Sequence, residues 1–335
     1  MQFSPANMHI FVTRALAFGV SFVVLFFLLY SPGEPTDYLS HVPVKNDASS
    51  MLCRTLPESE GDVSLDIQYL TSPLLARSAF VYDATTGSVL FAKESDTLRP
   101  LASVTKLLTA ATVLSNENTT TRIALADSAL HDHIPPFQKG EIWEVGRLTS
   151  LMLVRSSNDA ARALAIGVGS RLADSENEAV AERAFFRAMS EQASHWHLSQ
   201  MLSFGIKSVS GLDETGNIPT VMGTAEESAQ LLLCAYEQYP AIVAQTQNTT
   251  VTYQNISGKT YTVDNTNRII ADIPGLLASK TGLTESAGGN LVLLYKADNG
   301  HIIAVSVLGS TKDGRFSDAR ALVVATNTLL TTREH

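Results

Sequence analysis

The chain has 335 residues, and its 24 Lys and Arg against 33 Asp and Glu give a formal charge of −9. That balance argues against a nucleic-acid binder, which needs a basic face to meet phosphate. Hydrophobic residues make up 45%, with 20 Gly and 12 Pro, so the chain is neither disordered throughout nor low-complexity, and a folded globular protein is expected.

From Ile10 to Tyr30 the sequence reads IFVTRALAFGVSFVVLFFLLY, apolar on every side with Arg14 as its one charge. As a helix it would be about 32 Å long, enough to cross a bilayer. Arg14 lies upstream and Glu34 and Asp37 downstream, which sets the N-terminus in the cytoplasm and the rest outside it. The exit LLYSPGEP has no A-x-A-like cleavage site, so residues 1–30 are expected to stay as a single-pass anchor in the cytoplasmic membrane. Residues 31–70 carry Pro32, Gly33, Pro35, Pro43 and Pro57 among Ser and Asp and read as a flexible tether. Cys53 lies in this tether, and a bridge to Cys234, the other cysteine, is possible. Residues 71–335 remain as one domain.

That domain opens on a hairpin signal over Ser78 to Glu94, β-branched and aromatic residues around a TTG turn. Ser103 to Leu114 then shows helical spacing of Leu107, Leu108, Ala111 and Leu114 just after Pro100. Helical patterns recur at 147–154, 158–168, 178–194 and 224–238. The last part changes character: GNLVLLYKA, a turn at ADNG and HIIAVSVLG form a second hairpin, and FSDARALVVATNTLL is helical. Strands at both ends with helices between predict an α+β domain whose single antiparallel sheet is made from the two ends of the chain.

Three short motifs carry chemistry. Ser103-Val-Thr-Lys106 puts a hydroxyl and an amine one helical turn apart, a nucleophile beside a candidate base. A lysine is ordinarily protonated, but burial and a second cation would disfavour its charge. Ser156-Ser157-Asn158 falls between two helical patterns and can project from a short loop, although Ser and Asn there also suit an ordinary helix cap. Ser175-Glu176-Asn177 has the same spacing and no such setting. Lys280-Thr281-Gly282 reads as a strand whose Lys and Thr suit a carboxylate and whose Gly lets a substrate backbone come close.

In this order S-x-x-K, S-x-N and K-T-G resemble the low-molecular-weight D-alanyl-D-alanine carboxypeptidases among the penicillin-binding proteins. The resemblance runs from about Ser78 to the C-terminus and includes RPLASVTKLLTA, GEIWEVGRLTSLMLVRSSNDAA, SGLDETGN, SKTGLTESAGGNLV and VLGSTKDGRF. It implies a β-lactamase/transpeptidase-like fold and a serine peptidase that removes the terminal D-Ala of peptidoglycan stem peptides outside the cytoplasmic membrane. Ser103 would be the nucleophile, Lys106 its base and Ser156 the proton relay to the leaving amine. Asn158 would bind the substrate peptide or help hold Lys106, and Lys280, Thr281 and Arg315 would hold the terminal carboxylate. Lys280 would also be the cation that depresses Lys106. The backbone N–H groups of Ser103 and Leu283, the latter just past Gly282, would form the oxyanion hole. β-Lactam antibiotics would be covalent inhibitors, and no metal or organic cofactor is needed.

Many relatives carry a second, β-rich domain and a C-terminal amphipathic anchor, whereas this chain stops about 50 residues after Lys280. No E-x-x-x-N segment occurs between Asp159 and Ser279, which argues against the glutamate route of a class A β-lactamase. A peptidoglycan endopeptidase is the nearest enzymatic alternative, and a membrane-tethered penicillin-binding sensor the non-enzymatic one. His131-Asp132-His133 and His195-Trp196-His197 lack further zinc ligands at a recognised spacing and read as surface loops.

Overall fold

A computed structural model describes residues 52, 53, 56, 70, 73–132, 134–209 and 221–333. The proposed anchor, most of the tether, His133 and the SGLDETGN block lie outside them. Among the described residues no helix is long and apolar enough to cross a membrane.

In chain order the strands are β1 (Ser78–Asp83), β2 (Ser88–Lys93), β3 (Arg99–Pro100), β4 (Arg122–Ala124), β5 (Ile142–Glu144), β6 (Met222–Gly223), β7 (Thr250–Gln254), β8 (Thr260–Asp264), β9 (Leu276–Thr284), β10 (Gly288–Lys296) and β11 (Ile302–Ser310). The helices are α1 (Lys106–Asn116), α2 (Val145–Arg155), α3 (Asn158–Ala173), α4 (Glu178–His195), α5 (Ser199–Phe204), α6 (Ala225–Gln238), α7 (Pro240–Val243) and α8 (Gly314–Arg333).

The main sheet has the order β2-β1-β11-β10-β9, every neighbour antiparallel. Ser78 pairs with Leu308 and Asp83 with Ile303, so the N-terminal hairpin is completed by the last strands, as the sequence predicts. The runs LVLLY and IIAVSVL show no alternation because both faces are covered. Phe80, Tyr82, Val292, Leu294, Ala304 and Leu308 join the core shared with the central helices. Val81, Leu291, Leu293, Tyr295, Val305 and Val307 pack with Phe316, Leu322 and Val323 of α8 on the other face.

Each predicted helix is present, with α2 and α3 running several residues beyond the predicted spans. The helix expected from Ser103 is in fact two pieces: a 3₁₀ turn over Ala102–Thr105, then α1. The β7–β8 hairpin was not expected; TVTYQ and TYTVD alternate around an NISGK turn, and Tyr253, Tyr261 and Val263 are its buried members. Arg171 to Arg187 divides into the end of α3, a turn and the start of α4.

Cys53 and Cys234 form a disulfide across a separation of 181 residues. The backbone N–H groups of Leu52 and Cys53 donate to the Glu237 carboxylate at 3.1 and 2.7 Å, and Leu56 is buried in the core. The segment read as a tether is therefore fastened to α6 at these residues.

Candidate active site

β9 is an edge strand of the main sheet and runs beside the 3₁₀ turn that holds Ser103. Residues three apart eclipse in a 3₁₀ helix, so Ser103 and Lys106 stack directly. Lys106 Nζ donates to Ser103 Oγ at 2.9 Å and to Asn158 Oδ1 at 2.6 Å. Of the two readings of Asn158, the structure has it holding Lys106. Ala102, just before Ser103, is at φ 48°, a left-handed backbone that alanine adopts only where its surroundings enforce it.

The enforcing contacts come from the sheet. Asn290 on β10 is fully buried; its Nδ2 donates to the carbonyls of Pro100 and Leu101 at 2.9 and 3.1 Å, and its Oδ1 accepts from Gly309 N at 2.8 Å. Gly282 on β9 lies so close to that turn that an added Cβ would stand 2.7 Å from Leu101 O. The sequence reading assigned this glycine to a substrate's approach; the backbone it admits here is the protein's own. Asn290 lies outside the three motifs, and its signal in the sequence is a lone amide inside the apolar run GGNLVLL.

Ser156 ends α2 in the left-handed region at φ 61°, ψ 34°. Ser157, the middle residue, is the N-cap of α3, its side chain accepting from Ala160 N at 3.2 Å. Capping thus accounts for one residue of the triplet and leaves Ser156 and Asn158 on the two lysines. In Ser175-Glu176-Asn177 the cap is Asn177, accepting from Val180 N at 3.2 Å, and it starts α4.

Lys280 Nζ donates to Ser156 Oγ and to Thr281 O, both at 2.9 Å, and is 1% exposed. Thr281 Oγ1 lies 2.6 Å from Thr266 Oγ1. Leu283 is partly exposed at the edge of β9. Arg315, expected to face a carboxylate, is buried and donates from Nη1 to Gly282 O at 2.7 Å, so in this structure it braces the strand from behind. The three motifs meet through two short contacts, Lys106 Nζ to Asn158 Oδ1 and Lys280 Nζ to Ser156 Oγ.

Burial lowers Lys106 to about 7 from an ordinary value above 10; Asp132 opposes this and Arg162 adds to it. Arg162 is thus one cation that opposes the charge of Lys106, and the expected Lys280 is another, since the repulsion between the two lysines is mutual. Lys280 itself is held well below the ordinary range, first by burial, then by the charges of Lys106 and Arg315. Arg162 is placed by Asp159, fully buried, whose Oδ1 accepts from Arg162 Nη2 at 2.8 Å and from the backbone N–H of His131 and of Asp132 at 2.9 Å. The residue after Asn158 thereby fixes the loop that carries Asp132. His131, His195 and His197 are exposed, and among the described residues no three His, Cys, Asp or Glu side chains gather as a metal site would.

This site can deliver a nucleophilic hydroxyl with a neutral amine to take its proton, a second hydroxyl on a second amine, and a glycine-backed strand for an extended substrate. Comparison with known proteins agrees with that chemistry. Residues 69–312 match the family described as D-alanyl-D-alanine carboxypeptidase. A D-alanyl-D-alanine endopeptidase of Haemophilus influenzae is 32% identical over 66% of this chain and 71% of its own. One of Escherichia coli is 29% identical over 73% and 75%. D-alanyl-D-alanine carboxypeptidase DacF of Bacillus subtilis is 27% identical over 72% and 59%. Among solved structures, a Listeria monocytogenes penicillin-binding protein in its ampicillin-bound form superposes with a TM-score of 0.62 at 26% identity, covering 76% of this chain and 99% of that one. A Streptomyces DD-transpeptidase shares the fold with a TM-score of 0.66 at 22% identity, covering 76% and 98%.

Proposed function

The chain belongs to the D-alanyl-D-alanine carboxypeptidase family, and from that premise we propose that it removes the terminal D-Ala of peptidoglycan stem peptides through an acyl-enzyme on Ser103. The observation that carries this reading is Ser103 Oγ at 2.9 Å from an amine held near neutrality.

Lys106, neutral above about pH 7, takes the Ser103 proton as Oγ attacks the carbonyl carbon of the penultimate D-Ala. The negative oxygen of the tetrahedral intermediate is received by the backbone N–H groups of Ser103 and Leu283. Ser156, backed by Lys280, gives its proton to the nitrogen of the departing D-Ala and is reprotonated from Lys106, so the C–N bond breaks and Lys106 is neutral again. Water then attacks the ester with Lys106 again as base, releasing the shortened peptide. The substrate's terminal carboxylate falls to Thr281 and Lys280. An anion beside Lys280 favours its protonated form, so binding this group restores the charge that burial suppresses. β-Lactams would acylate Ser103 in the same way, a reading supported by the likeness to the ampicillin-bound Listeria protein.

A second reading, hydrolysis of a D-alanyl cross-link, is favoured by the relatives named endopeptidase, of which this chain covers more than it does of the carboxypeptidase. Both bonds follow a D-Ala carbonyl, and they differ in the group that leaves. For the compartment, we place the domain outside the cytoplasmic membrane, held by residues 10–30. The Cys53–Cys234 bridge supports this, since disulfides persist in oxidising compartments.

The test is D-Ala release from a stem pentapeptide and cleavage of a cross-linked muropeptide, wild type beside Ser103→Ala, with fluorescent penicillin labelling in parallel. Ser103-dependent D-Ala release supports the carboxypeptidase, cross-link cleavage alone supports the endopeptidase, and labelling without either supports a penicillin-binding sensor. Release that survives Ser103→Ala would falsify the assignment of the nucleophile.

A further inference from the structure

Between β8 and β9 the chain reads Asn265-Thr266-Asn267, and the two asparagines are committed to holding it in place. Asn265 Nδ2 donates to the carbonyls of Thr246 and Asn248 at 2.8 and 3.0 Å. Asn267 Nδ2 donates to Ser279 Oγ at 3.0 Å, and its Oδ1 accepts from Ile269 N at 3.1 Å. Thr266 N reaches back to Val154 O in the last turn of α2 at 3.3 Å. The hydroxyl of Thr266 is then delivered to 2.6 Å from that of Thr281, the middle residue of K-T-G. Thr281 is buried, and Thr266 is half-buried at its cleft side.

Each hydroxyl has one proton and two lone pairs, and a single hydrogen lies between the two oxygens. If Thr281 supplies it, Thr281 has only lone pairs left for the cleft. If Thr266 supplies it, Thr281 keeps its own proton free and is polarised as a stronger donor. A carboxylate accepts and never donates, so its arrival selects the second arrangement. We propose that Thr266 is a positioning residue for the substrate's carboxylate: it donates to Thr281, so that Thr281 donates to the anion. This rests on the reading of the site as a D-Ala-terminal peptidase. It adds to that reading a residue outside the three motifs, one that governs which way a motif hydroxyl points.

The experiment compares the acylation rate of Ser103 by a penicillin with a free carboxylate and by its methyl ester. The proteins are wild type, Thr266→Val, Thr266→Ala and Thr266→Ser. Losing one donor in a chain that ends on a charged group should lower the acid-to-ester rate ratio by about tenfold in the Val and Ala variants. Thr266→Ser keeps the hydroxyl and should stay within about twofold of wild type. Thr266→Ala asks little of the packing, so a Val variant that fails to fold leaves the comparison intact. An unchanged ratio in the variants without the hydroxyl, or an equal fall with acid and ester, would show that Thr266 only props the loop. D-Ala release by the wild type is scored separately. If Ser103 is acylated but no D-Ala appears, the carboxypeptidase reading fails while the ratio still judges Thr266. If the wild type is acylated by neither compound, both proposals fall.

Discussion

Burial strips an ammonium of the water that keeps it charged, and Lys106 and Lys280 are both buried among polar partners that can serve a neutral amine as well. For Lys106 at about 7, kcat/KM for acylation should rise about tenfold per pH unit below 7 and level off above it, since that parameter reports the free enzyme. A flat profile from about pH 5.5 to 8 would remove Lys106 from the role of base. The same shift has a stability consequence with a definite sign. The folded-state value lies below the unfolded one near 10.4, so between the two the unfolded chain binds more protons and stability rises with pH. The melting temperature of the wild type should climb from about pH 7 to 9 more steeply than that of Lys106→Met, which lacks this titration. Equal slopes in thermal denaturation would contradict the account. Ser103, Lys106, Ser156, Asn158, Lys280 and Thr281 were legible because their spacings are those of known motifs. Arg162, Asp159, Asn290 and Thr266 were not, because nothing local distinguishes a polar residue that meets the site only through the fold.

The turn that holds Ser103 owes its shape to elements distant in the chain. Gly282→Ala would put a methyl group against Leu101 O, where only backbone can give way. The expected result is a loss of penicillin acylation well beyond the loss of stability, which should be about 1–3 kcal/mol by denaturant titration. Asn290→Ala strands two carbonyls and one N–H, and should cost a similar 1–3 kcal/mol or somewhat more. Wild-type acylation by Gly282→Ala would mean that the turn adapts without help from β9. Sequence periodicity found the hairpins and the longer helices because their apolar residues recur at 2 or 3.6. It misread the nucleophile's segment because a 3₁₀ turn entering an α-helix keeps the same apolar residues inward. The β7–β8 hairpin alternates just as clearly, but its turn is five residues long and less telling than a two-residue one.

At the scale of the molecule, the Cys53–Cys234 bridge closes a loop containing Ser103, Lys106, Ser156 and Asn158. By restricting the unfolded chain it should contribute about 2–5 kcal/mol. Reduction, or Cys53→Ser with Cys234→Ser, should lower the melting temperature while leaving penicillin acylation near wild type; an unchanged melting temperature would mean the Glu237 contacts suffice. Composition could not reveal the pairing, since two cysteines so far apart in sequence meet only once α6 is in place. The sheet built from both ends of the chain has a further consequence for timing. Ser103, Lys106, Ser156 and Asn158 all precede β9, but Lys280 and Thr281 lie on it, and the strand beside β1 is β11. During synthesis the part that holds Ser103 exists long before the part that completes the site. Until β9 and β11 have arrived, an unfinished chain therefore holds Ser103 and Lys106 without the strand and the second lysine that complete the site.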